Sequence, residues 1–339
     1  MVKVAVDAMG GDYAPKEIIL GVISALKENT AIEVVLVGDE QAIQKELKDS
    51  EDLQSRISII HTTQVIEPSE EPVLALRTKK DSSMVVGMKM VKKHEADAFV
   101  SAGSSGALVA GGQLLVGRIQ GIERAPLAPL MPVIKEDGQS GISLLVDGGG
   151  NVDARSSHLL QFAQMGSLYM EYILGIKSPK VALVNIGEEK EKGNLLVKET
   201  YPLLEACQNI NFIGNVEARE IPTGKADIVV CDAFVGNIIL KLYEGVGGMI
   251  QPLITRAFMS NLRSKIGGLL AQTALKTSLK GFNVREYGGA PMLGLNGLVV
   301  KMHGNSKADM VKNTLIQCVT FQEQNIQEKI KQQLSLSKV

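Results

Sequence analysis

The chain has 339 residues with 34 glycines and only 11 prolines, a glycine share above the roughly 7% that is usual in proteins. Its 45% hydrophobic and 22% charged residues exclude a collagen-like or low-complexity chain and allow a large core. This core must be aliphatic, because only 4% of the residues are aromatic and there is no Trp. The 36 Lys and Arg balance 37 Asp and Glu, and aromatic side chains are few, so we expect no binding of nucleic acid.

Cysteine usage and the N-terminal residues favour a cytoplasmic protein. The three cysteines (Cys207, Cys231 and Cys318) are odd in number and widely spaced, which is typical of a reducing compartment. The N-terminus has the pattern of a strand and not of a signal peptide. The uncharged run Ala98–Gly117 contains five glycines, which argues against a membrane span.

Short apolar runs alternate with segments of helical spacing along the whole chain. The predicted strands are Val2–Val6, Glu33–Val37, Ile57–Ile60, Ala98–Val100, Ile142–Val146, Val181–Val184, Asn211–Ile213, Ile228–Val230 and Leu298–Val300. The predicted helices are Lys16–Asn29, Gln41–Leu47, Val73–Lys93, Gly106–Arg118, Ser156–Leu174, Leu195–Cys207, Asn237–Ser260 and Lys307–Lys331. Continuous Val, Ile and Leu runs between helices predict a layered α/β fold with a mostly parallel sheet.

Glycine, Asn, Ser and carboxylates follow the predicted strands, where ligands of parallel sheets bind. These segments are Asp7–Asp12, Ser101–Ala107, Asp147–Asn151, Asn185–Glu189, Gly214–Glu217, Cys231–Asn237 and His303–Ser306. Because glycine lets the backbone approach a ligand closely, we predict a binding site along one sheet edge.

The segment Ser101–Ala107 is the best candidate for binding an anion. A strand ends there in a Gly/Ser turn that opens a helix, so main-chain N–H groups and the helix dipole point toward a ligand. A tight turn with an N-cap serine explains the same pattern. Neither the P-loop nor the dinucleotide-binding glycine motif is present.

Five aspartates are candidates for a general base or a divalent-metal ligand, or else for capping and turn formation. They are Asp7, Asp12, Asp147, Asp153 and Asp232. The four histidines have no metal-ligand spacing, and only His303 is expected near a site. Cys231 lies in an apolar run and is expected to be buried. We predict no cofactor and no metal site.

Residues Leu253–Phe282 contain five basic residues and no acidic one. Apolar residues recur every fourth position at Ile254, Phe258, Leu262, Ile266 and Leu270, and Gly267-Gly268 predicts the tip between two helices. The pattern is equally typical of a dimer or packing helix and of a basic amphipathic helix on anionic lipid.

These segments together resemble the bacterial phosphate acyltransferase family, whose members transfer an acyl group from acyl-[acyl-carrier-protein] to phosphate. The motifs run through the chain in order: Asp7–Asp12, Val100–Ala107, Asp147–Asp153, Asn185–Asn194, Gly214–Glu217, Cys231–Asn237 with Lys241, Glu286–Ala290 and His303–Ser306. Two departures from the family pattern are Ser104-Ser105 and Ala233. Both keep a small or polar residue, so they affect fine substrate geometry more than the reaction.

The resemblance implies a fold like that of isocitrate/isopropylmalate dehydrogenases and phosphotransacetylases, with a projecting helical hairpin. It implies one catalytic domain over 1–339, of two lobes at most, with the hairpin at 241–285 serving dimerisation or membrane contact. The expected reaction is reversible transfer of a fatty acyl group from acyl carrier protein to inorganic phosphate. The expected protein is a homodimer at the inner face of the cell membrane, supplying acyl phosphate to a membrane glycerol-3-phosphate acyltransferase for phospholipid synthesis.

The resemblance and the residue types together predict roles for single residues. The predicted catalytic residues are Lys192, Asp232, Asn237 and Lys241. The predicted phosphate-binding residues are Ser101, Gly103, Ser104, Ser105 and Gly106. Further residues expected at the site edge are Asp7, Asp12, Asp147, Asn151, Asn185, Asn215 and His303. Those expected to contact the membrane or the carrier protein are Arg263, Lys265, Leu269, Leu270 and Lys276.

Three alternatives stay open on the sequence alone. A phosphotransacylase that uses acyl-CoA would share fold and phosphate chemistry. An NAD-dependent decarboxylating dehydrogenase of the same architecture would need a nicotinamide and a divalent metal. A non-enzymatic adaptor on lipid surfaces would use the basic segment, although it would not need so many polar strand ends.

Overall fold

The computed structural model describes residues 1–48, 51–135, 137–280 and 287–336, apart from the side chains of 51, 251, 276–280 and 334–336. The strands are β1 (Val2–Asp7), β2 (Ile32–Gly38), β3 (Ile57–His61), β4 (Ala98–Ser101), β5 (Leu130–Ile134), β6 (Ser140–Val146), β7 (Lys180–Asn185), β8 (Asn211–Glu217), β9 (Ile228–Val230), β10 (Ala290–Pro291) and β11 (Leu298–Lys301). The helices are α1 (Lys16–Glu28), α2 (Glu40–Glu46), α3 (Pro72–Thr78), α4 (Ser83–Lys92), α5 (Ser105–Gly111), α6 (Ser156–Tyr172), α7 (Leu195–Ala206), α8 (Ala233–Met259), α9 (Leu262–Lys280), α10 (Ala308–Gln324) and α11 (Ile326–Leu336).

The strands form two sheets, each parallel except for one edge strand. The first has the order β10-β11-β4-β1-β2-β3, with β10 antiparallel, and the second has the order β5-β6-β9-β7-β8, with β5 antiparallel. The predicted α/β class with mostly parallel sheets is confirmed, and each of the nine predicted strands is present.

Alternating side chains of the strands pack into cores on both faces of each sheet, as parallel sheets require. In β4, Ala98 and Val100 face the cluster that also holds α1, α6 and α10, whereas Phe99 faces the cluster with α4 and α5. The cluster around α1, α6 and α10 takes side chains from both sheets, including Val146 of β6. One continuous core therefore joins the two sheets.

The sequence pattern missed two strands and merged some helices. Strand β5 carries Pro132, which edge strands tolerate because one side of the ladder has no partner, and β10 is only two residues long. The predicted helix Val73–Lys93 is divided into α3 and α4. The predicted helix Lys307–Lys331 is divided at Asn325, which adopts φ +49°.

The joint between α8 and α9 lies at Ser260-Asn261, so the predicted tip at Gly267-Gly268 is wrong. Both glycines lie inside α9. A Cβ at Gly268 would lie 2.8 Å from the side chain of Phe258 on α8, which makes this glycine a contact point between the helices. The apolar stripe of period four is thus shared by two helices, with Phe258 on the first and Ile266 on the second.

By length and composition, helix α8 could cross a membrane. Only 11% of its most apolar window is buried within the fold. Its first turns belong to the fold, because Val235, Ile239 and Leu240 pack against the second sheet. Beyond them, α8 and α9 expose large apolar side chains to solvent.

Candidate active site

Asp7, at the end of β1, is buried and holds together the loops that follow β1 and β4. Its Oδ1 accepts hydrogen bonds from the N–H groups of Met9 (3.1 Å) and Gly10 (3.0 Å), and its Oδ2 accepts one from the Ser101 hydroxyl at 2.6 Å. Burial raises the pKa of this carboxyl above its usual value, against the opposing effect of these hydrogen bonds. Gly10 leaves room for this turn, since a Cβ there would meet Asp7 itself.

The loop Ser101–Gly106 leads from β4 into α5. The Ser101 hydroxyl also accepts a hydrogen bond from the Gly103 N–H at 3.0 Å, and Ser104 caps α5 through the Ala107 N–H at 3.5 Å. The N–H groups of Ser105 and Gly106 lie in the first turn of α5, where the helix itself provides no acceptor for them. Both predicted patterns, the serine cap and the row of main-chain donors, are therefore present in one loop.

Asp147 has the corresponding position after β6 in the second sheet and is fully buried. Its Oδ1 accepts hydrogen bonds from the N–H groups of Leu127 (3.0 Å), Gly149 (3.0 Å) and Gly150 (2.8 Å). Its Oδ2 accepts one from the Asn151 side-chain amide at 2.7 Å. Burial raises the pKa of Asp147 above its usual value, as at Asp7. This carboxylate builds the glycine loop, which is the turn-forming role considered for it from the sequence.

Gln113 links the helical segment that follows the Ser101 loop to the Asp147 loop. It lies on the π-helical turn Gly112–Val116 that continues α5, and its amide donates a weak hydrogen bond of 3.5 Å to Asn151 Oδ1. The helical segment that begins at the Ser101 loop therefore reaches the Asp147 loop at Gln113.

Helix α8 crosses from one carboxyl edge to the other. Asp232 caps it through the Val235 N–H at 2.9 Å, and Gly236 packs directly on the main-chain oxygen of Asp147. Farther along, Glu244 lies 3.7 Å from His303 Nε2, beside the end of β11 in the first sheet.

Asn237 and Lys241 share the face of α8 that carries Glu244, because positions separated by four and seven residues align on a helix. Because Gly236 packs on Asp147 and Glu244 lies beside His303, this part of α8 spans the gap between the two sheet edges. The two predicted catalytic residues therefore lie on the same face of the helix that spans the gap.

The loop that follows β7 holds Lys192 in an exposed position. Asn185 donates to the Lys192 main-chain oxygen (3.1 Å), and Asn215 donates to those of Glu189 (3.1 Å) and Glu188 (3.3 Å). Lys192 Nζ pairs with Glu189 at 2.8 Å, which raises the pKa of Lys192 and lowers that of Glu189. Among the residues that the structure describes, no hydrogen bond or ion pair joins Lys192 to the Ser101 loop.

The His303 loop closes the other side of the gap. The Asp12 N–H donates to the Gly304 main-chain oxygen at 2.8 Å, which ties the loop after β1 to the loop after β11. Glu244 raises the pKa of His303 by hydrogen bonding, against the effect of burial.

Two groups of the gap were missed from the sequence, Glu244 and Lys301. Glu244 stands seven residues after Asn237, and Lys301 directly follows the apolar run Leu298–Val300. The signal that selected Asp7 and Ser101, a polar residue at a strand end, was thus also present at Lys301.

The residues predicted to meet membrane or carrier lie on α9, away from the gap. Arg263, Lys265, Leu269 and Leu270 are exposed, the two leucines by 73% and 81%. The backbone of Lys276 is part of α9, but its side chain lies outside the described residues, as does the end of the predicted hairpin at 281–285.

A family model described as "Fatty acid synthesis protein" matches residues 2–329. The chain belongs to this family. It is 46% identical over 332 residues to the phosphate acyltransferase of Clostridium tetani, which covers 98% of each chain. It is 48% identical over 334 residues to that of Caldicellulosiruptor saccharolyticus, again covering 98% of each. The predicted family resemblance is confirmed, and the protein is an acyltransferase, not a dehydrogenase or a non-enzymatic adaptor.

Solved structures show the same fold at low sequence identity. A phosphotransacetylase from Streptococcus pyogenes aligns over 95% of this chain and 94% of its own, with a TM-score of 0.60 and 17% identity. A branched-chain phosphotransacylase from Enterococcus faecalis aligns over 94% and 99%, with a TM-score of 0.52 and 16% identity. The expected likeness to the phosphotransacetylase fold is confirmed.

Proposed function

We propose that this protein transfers a fatty acyl group from acyl carrier protein to inorganic phosphate, giving acyl phosphate for phospholipid synthesis. The observation that carries the proposal is the crossing of α8 from one sheet edge to the other. It carries Asn237 and Lys241 on the helix that spans the gap, while the Ser101–Gly106 loop opens α5 with N–H groups that have no acceptor within that helix. Such a site can orient phosphate against a thioester and stabilise an oxyanion.

Phosphate is itself the nucleophile in this reaction. One phosphate oxygen attacks the thioester carbonyl carbon, the new C–O bond forms, and the carbonyl oxygen becomes an oxyanion. Collapse of this intermediate breaks the C–S bond, and the thiolate leaves readily because thiol pKa values are near 8.5. Cys231, the one cysteine near the gap, is buried with its pKa raised well above its usual value, so it is unsuited to act as an alternative nucleophile.

The N–H groups of Ser105 and Gly106 would hold the phosphate, and Asn237 or Lys241 would donate to the oxyanion. Asp7 and Asp147 are poor proton acceptors because their oxygens already accept hydrogen bonds from loops that they hold in place. Asp232 is half-buried and uses Oδ1 for its helix cap, which leaves Oδ2 for a proton from phosphate. We therefore favour Asp232 over Asp7 and Asp147 as the acceptor of the phosphate proton.

Lys192 would offset the charge of the phosphate after leaving Glu189. Lys192→Ala should raise the phosphate KM about tenfold, the usual worth of one charge-assisted hydrogen bond. Lys190→Ala is the matched control, because Lys190 lies in the same loop and pairs with Glu205. A phosphate KM and turnover unchanged by Lys192→Ala would remove this role.

The exposed faces of α8 and α9 are suited to the remaining partners. Apolar side chains along α8, among them Ile238, Leu242 and Met249, form a continuous surface that a second copy of the chain would cover in a homodimer. Arg263 and Lys265 on α9 carry the positive charge that an acidic carrier protein or anionic lipid would meet. The protein would act at the inner membrane face, beside a membrane glycerol-3-phosphate acyltransferase that consumes its product.

A phosphotransacylase using acyl-CoA is the alternative that the fold of the solved structures also accommodates. The purified protein would be incubated with labelled phosphate and either palmitoyl-carrier protein or palmitoyl-CoA, and acyl phosphate trapped with hydroxylamine. Hydroxamate from the carrier thioester is the expected product. Hydroxamate from the CoA thioester alone would favour the alternative, and none from either would refute acyl transfer to phosphate.

A further inference from the structure

Lys301, at the end of β11, continues a row of polar residues across three neighbouring strands. It pairs in register with Ser101 of β4, whose hydroxyl donates to Asp7 at the end of β1. The preceding residues on the same face, Val299 and Phe99, pack in one core cluster, so the three polar side chains extend from one face of the sheet. Adjacent strands lie about 4.8 Å apart, which makes Lys301 the nearest cation to the Ser101 loop along the sheet.

Lys301 is half-buried, and among the residues that the structure describes its ammonium has no bonded partner. Burial lowers its pKa, and the opposing charge is that of Glu244 on α8. Within the described ranges, Lys301 Nζ forms no hydrogen bond and no ion pair, because Glu244 is directed to His303. Taking a cation out of water without a partner is costly, so an anionic ligand would supply what the folded chain does not.

Lys192 and Lys301 differ in whether a described carboxylate is bonded to the ammonium. Lys192 is exposed and already paired with Glu189 at 2.8 Å, so phosphate must compete for it. Lys301 has a fixed place in a strand, and no carboxylate of the described residues is bonded to it. A phosphate on the Ser101–Gly106 loop would find main-chain donors on one side and this ammonium on the other.

We propose that Lys301 is a phosphate-binding residue, which holds an oxygen of inorganic phosphate at the Ser101 loop. The inference rests on the proposed function for the identity of the anion as the nucleophile. In this proposal Lys301 supplies a positive charge that strand β11 holds in place. The positive charge of Lys192 is carried by the loop that follows β7.

The test uses Lys301→Met and Lys301→Arg in the full-length protein, with Lys312→Met as control. Lys312 is a partly buried lysine of α10 that pairs with Glu28 at 2.9 Å, far from the gap in the fold. Inorganic phosphate alone is titrated while the melting temperature is recorded, since a ligand of the native state raises it. Without phosphate, Lys301→Met should melt no lower than the wild type, because a buried charge has been removed.

With phosphate, we expect Lys301→Met to need about tenfold more ligand for the same rise in melting temperature, and Lys301→Arg to recover part of that loss. Lys312→Met should respond as the wild type does. Equal phosphate responses of wild type and Lys301→Met, or no response of the wild type, would overturn the proposal.

Kinetics separate this proposal from the proposed function. A raised phosphate KM with an unchanged thioester KM in Lys301→Met supports it. A raised thioester KM alone would mean that Lys301 binds the phosphodiester of the carrier instead, which overturns the assignment to inorganic phosphate while the reaction stands. If the wild type binds phosphate through Lys301 but forms no acyl phosphate, the proposed function fails and the phosphate-binding role survives.

Discussion

The carboxyl edges of the two sheets bury polar side chains, whereas the outer lengths of α8 and α9 expose apolar ones. Asp7 and Asp147 are buried and hydrogen-bonded by neighbouring loops, while Leu269 and Leu270 are almost fully exposed. Proteins usually bury apolar side chains and expose polar ones, so both regions depart from the usual distribution. Buried polar groups persist where hydrogen bonds hold them, and exposed apolar surface persists where a partner covers it. Substitutions at the edge should therefore affect folding and turnover, and those on α9 only attachment.

The largest effect is expected from Asp147→Ala. It leaves three main-chain N–H groups and the Asn151 amide without their acceptor, which should lower the free energy of unfolding by about 3 to 5 kcal/mol. Urea unfolding followed by circular dichroism measures the change. Asp153→Ala, an exposed position in the same loop, is the control and should stay within about 0.5 kcal/mol of the wild type. A similar loss in both variants would contradict the special role of Asp147.

Asn237→Ala should separate chemistry from folding at the same edge. If its amide stabilises the oxyanion, kcat should fall about 100-fold, the usual cost of removing one such donor. Because Asn237 is only half-buried, the free energy of unfolding should change by less than about 1 kcal/mol.

Lys241→Ala, measured beside it, identifies which of the two residues is the donor. Arg256→Ala, on the outer length of α8, should leave kcat unchanged. Turnover that survives both inner substitutions would remove α8 from the chemistry.

The double variant Leu269→Glu/Leu270→Glu should change attachment alone. Each leucine contributes about 1.5 to 3 kcal/mol when it is buried in a lipid surface, so binding to anionic vesicles should fall at least tenfold. Stability and turnover on soluble thioester should be unaffected. Vesicle sedimentation measures binding, and Gln272→Glu/Ala274→Glu adds the same charge at exposed positions of α9 without removing leucine. Equal binding by the two double variants would show that charge, and not apolar contact, governs attachment.

The smallest effect concerns His158, a buried residue in the first turn of α6 beyond the Asp147 loop. Its Nε2 faces Glu123 at 3.0 Å, yet burial dominates and lowers the pKa of His158. The unfolded chain takes up this proton near pH 6.5 and the folded chain only at lower pH, so the free energy of unfolding falls as the pH falls through that range.

His158→Gln should remove less than about 1 kcal/mol of this pH dependence, measured by urea unfolding between about pH 7 and about pH 5.5. The raised pKa values of Asp7 and Asp147 act in the opposite direction, with stability lost as the pH rises, but both proteins share them. Identical pH profiles would mean that His158 does not carry the effect.

The sequence predicted the strands well because parallel strands buried on both faces are continuous apolar runs. It also identified Asp7, Ser101 and Asp147, since their place at a strand end is visible in one dimension. It could not assign their hydrogen bonds, because the partners of Asp147 include Leu127, twenty residues away on a segment without a periodic pattern.

What the sequence missed depends on neighbours in space. The importance of Lys301 comes from its register with Ser101, two hundred residues away in the chain, and from having no bonded carboxylate among the residues that the structure describes. The joint of α8 and α9 was misplaced because glycine pairs often end helices, whereas Gly268 here makes room for Phe258. Packing between helices, and not local propensity, decided this element.

Release of thiol from palmitoyl-carrier protein in a single turnover, with and without phosphate, tests the central claim most directly. If phosphate is the nucleophile at the edge crossed by α8, thiol should appear only when phosphate is present, in an amount equal to the acyl phosphate trapped as hydroxamate. A stoichiometric burst of thiol without phosphate would reveal an acyl-enzyme and contradict the mechanism.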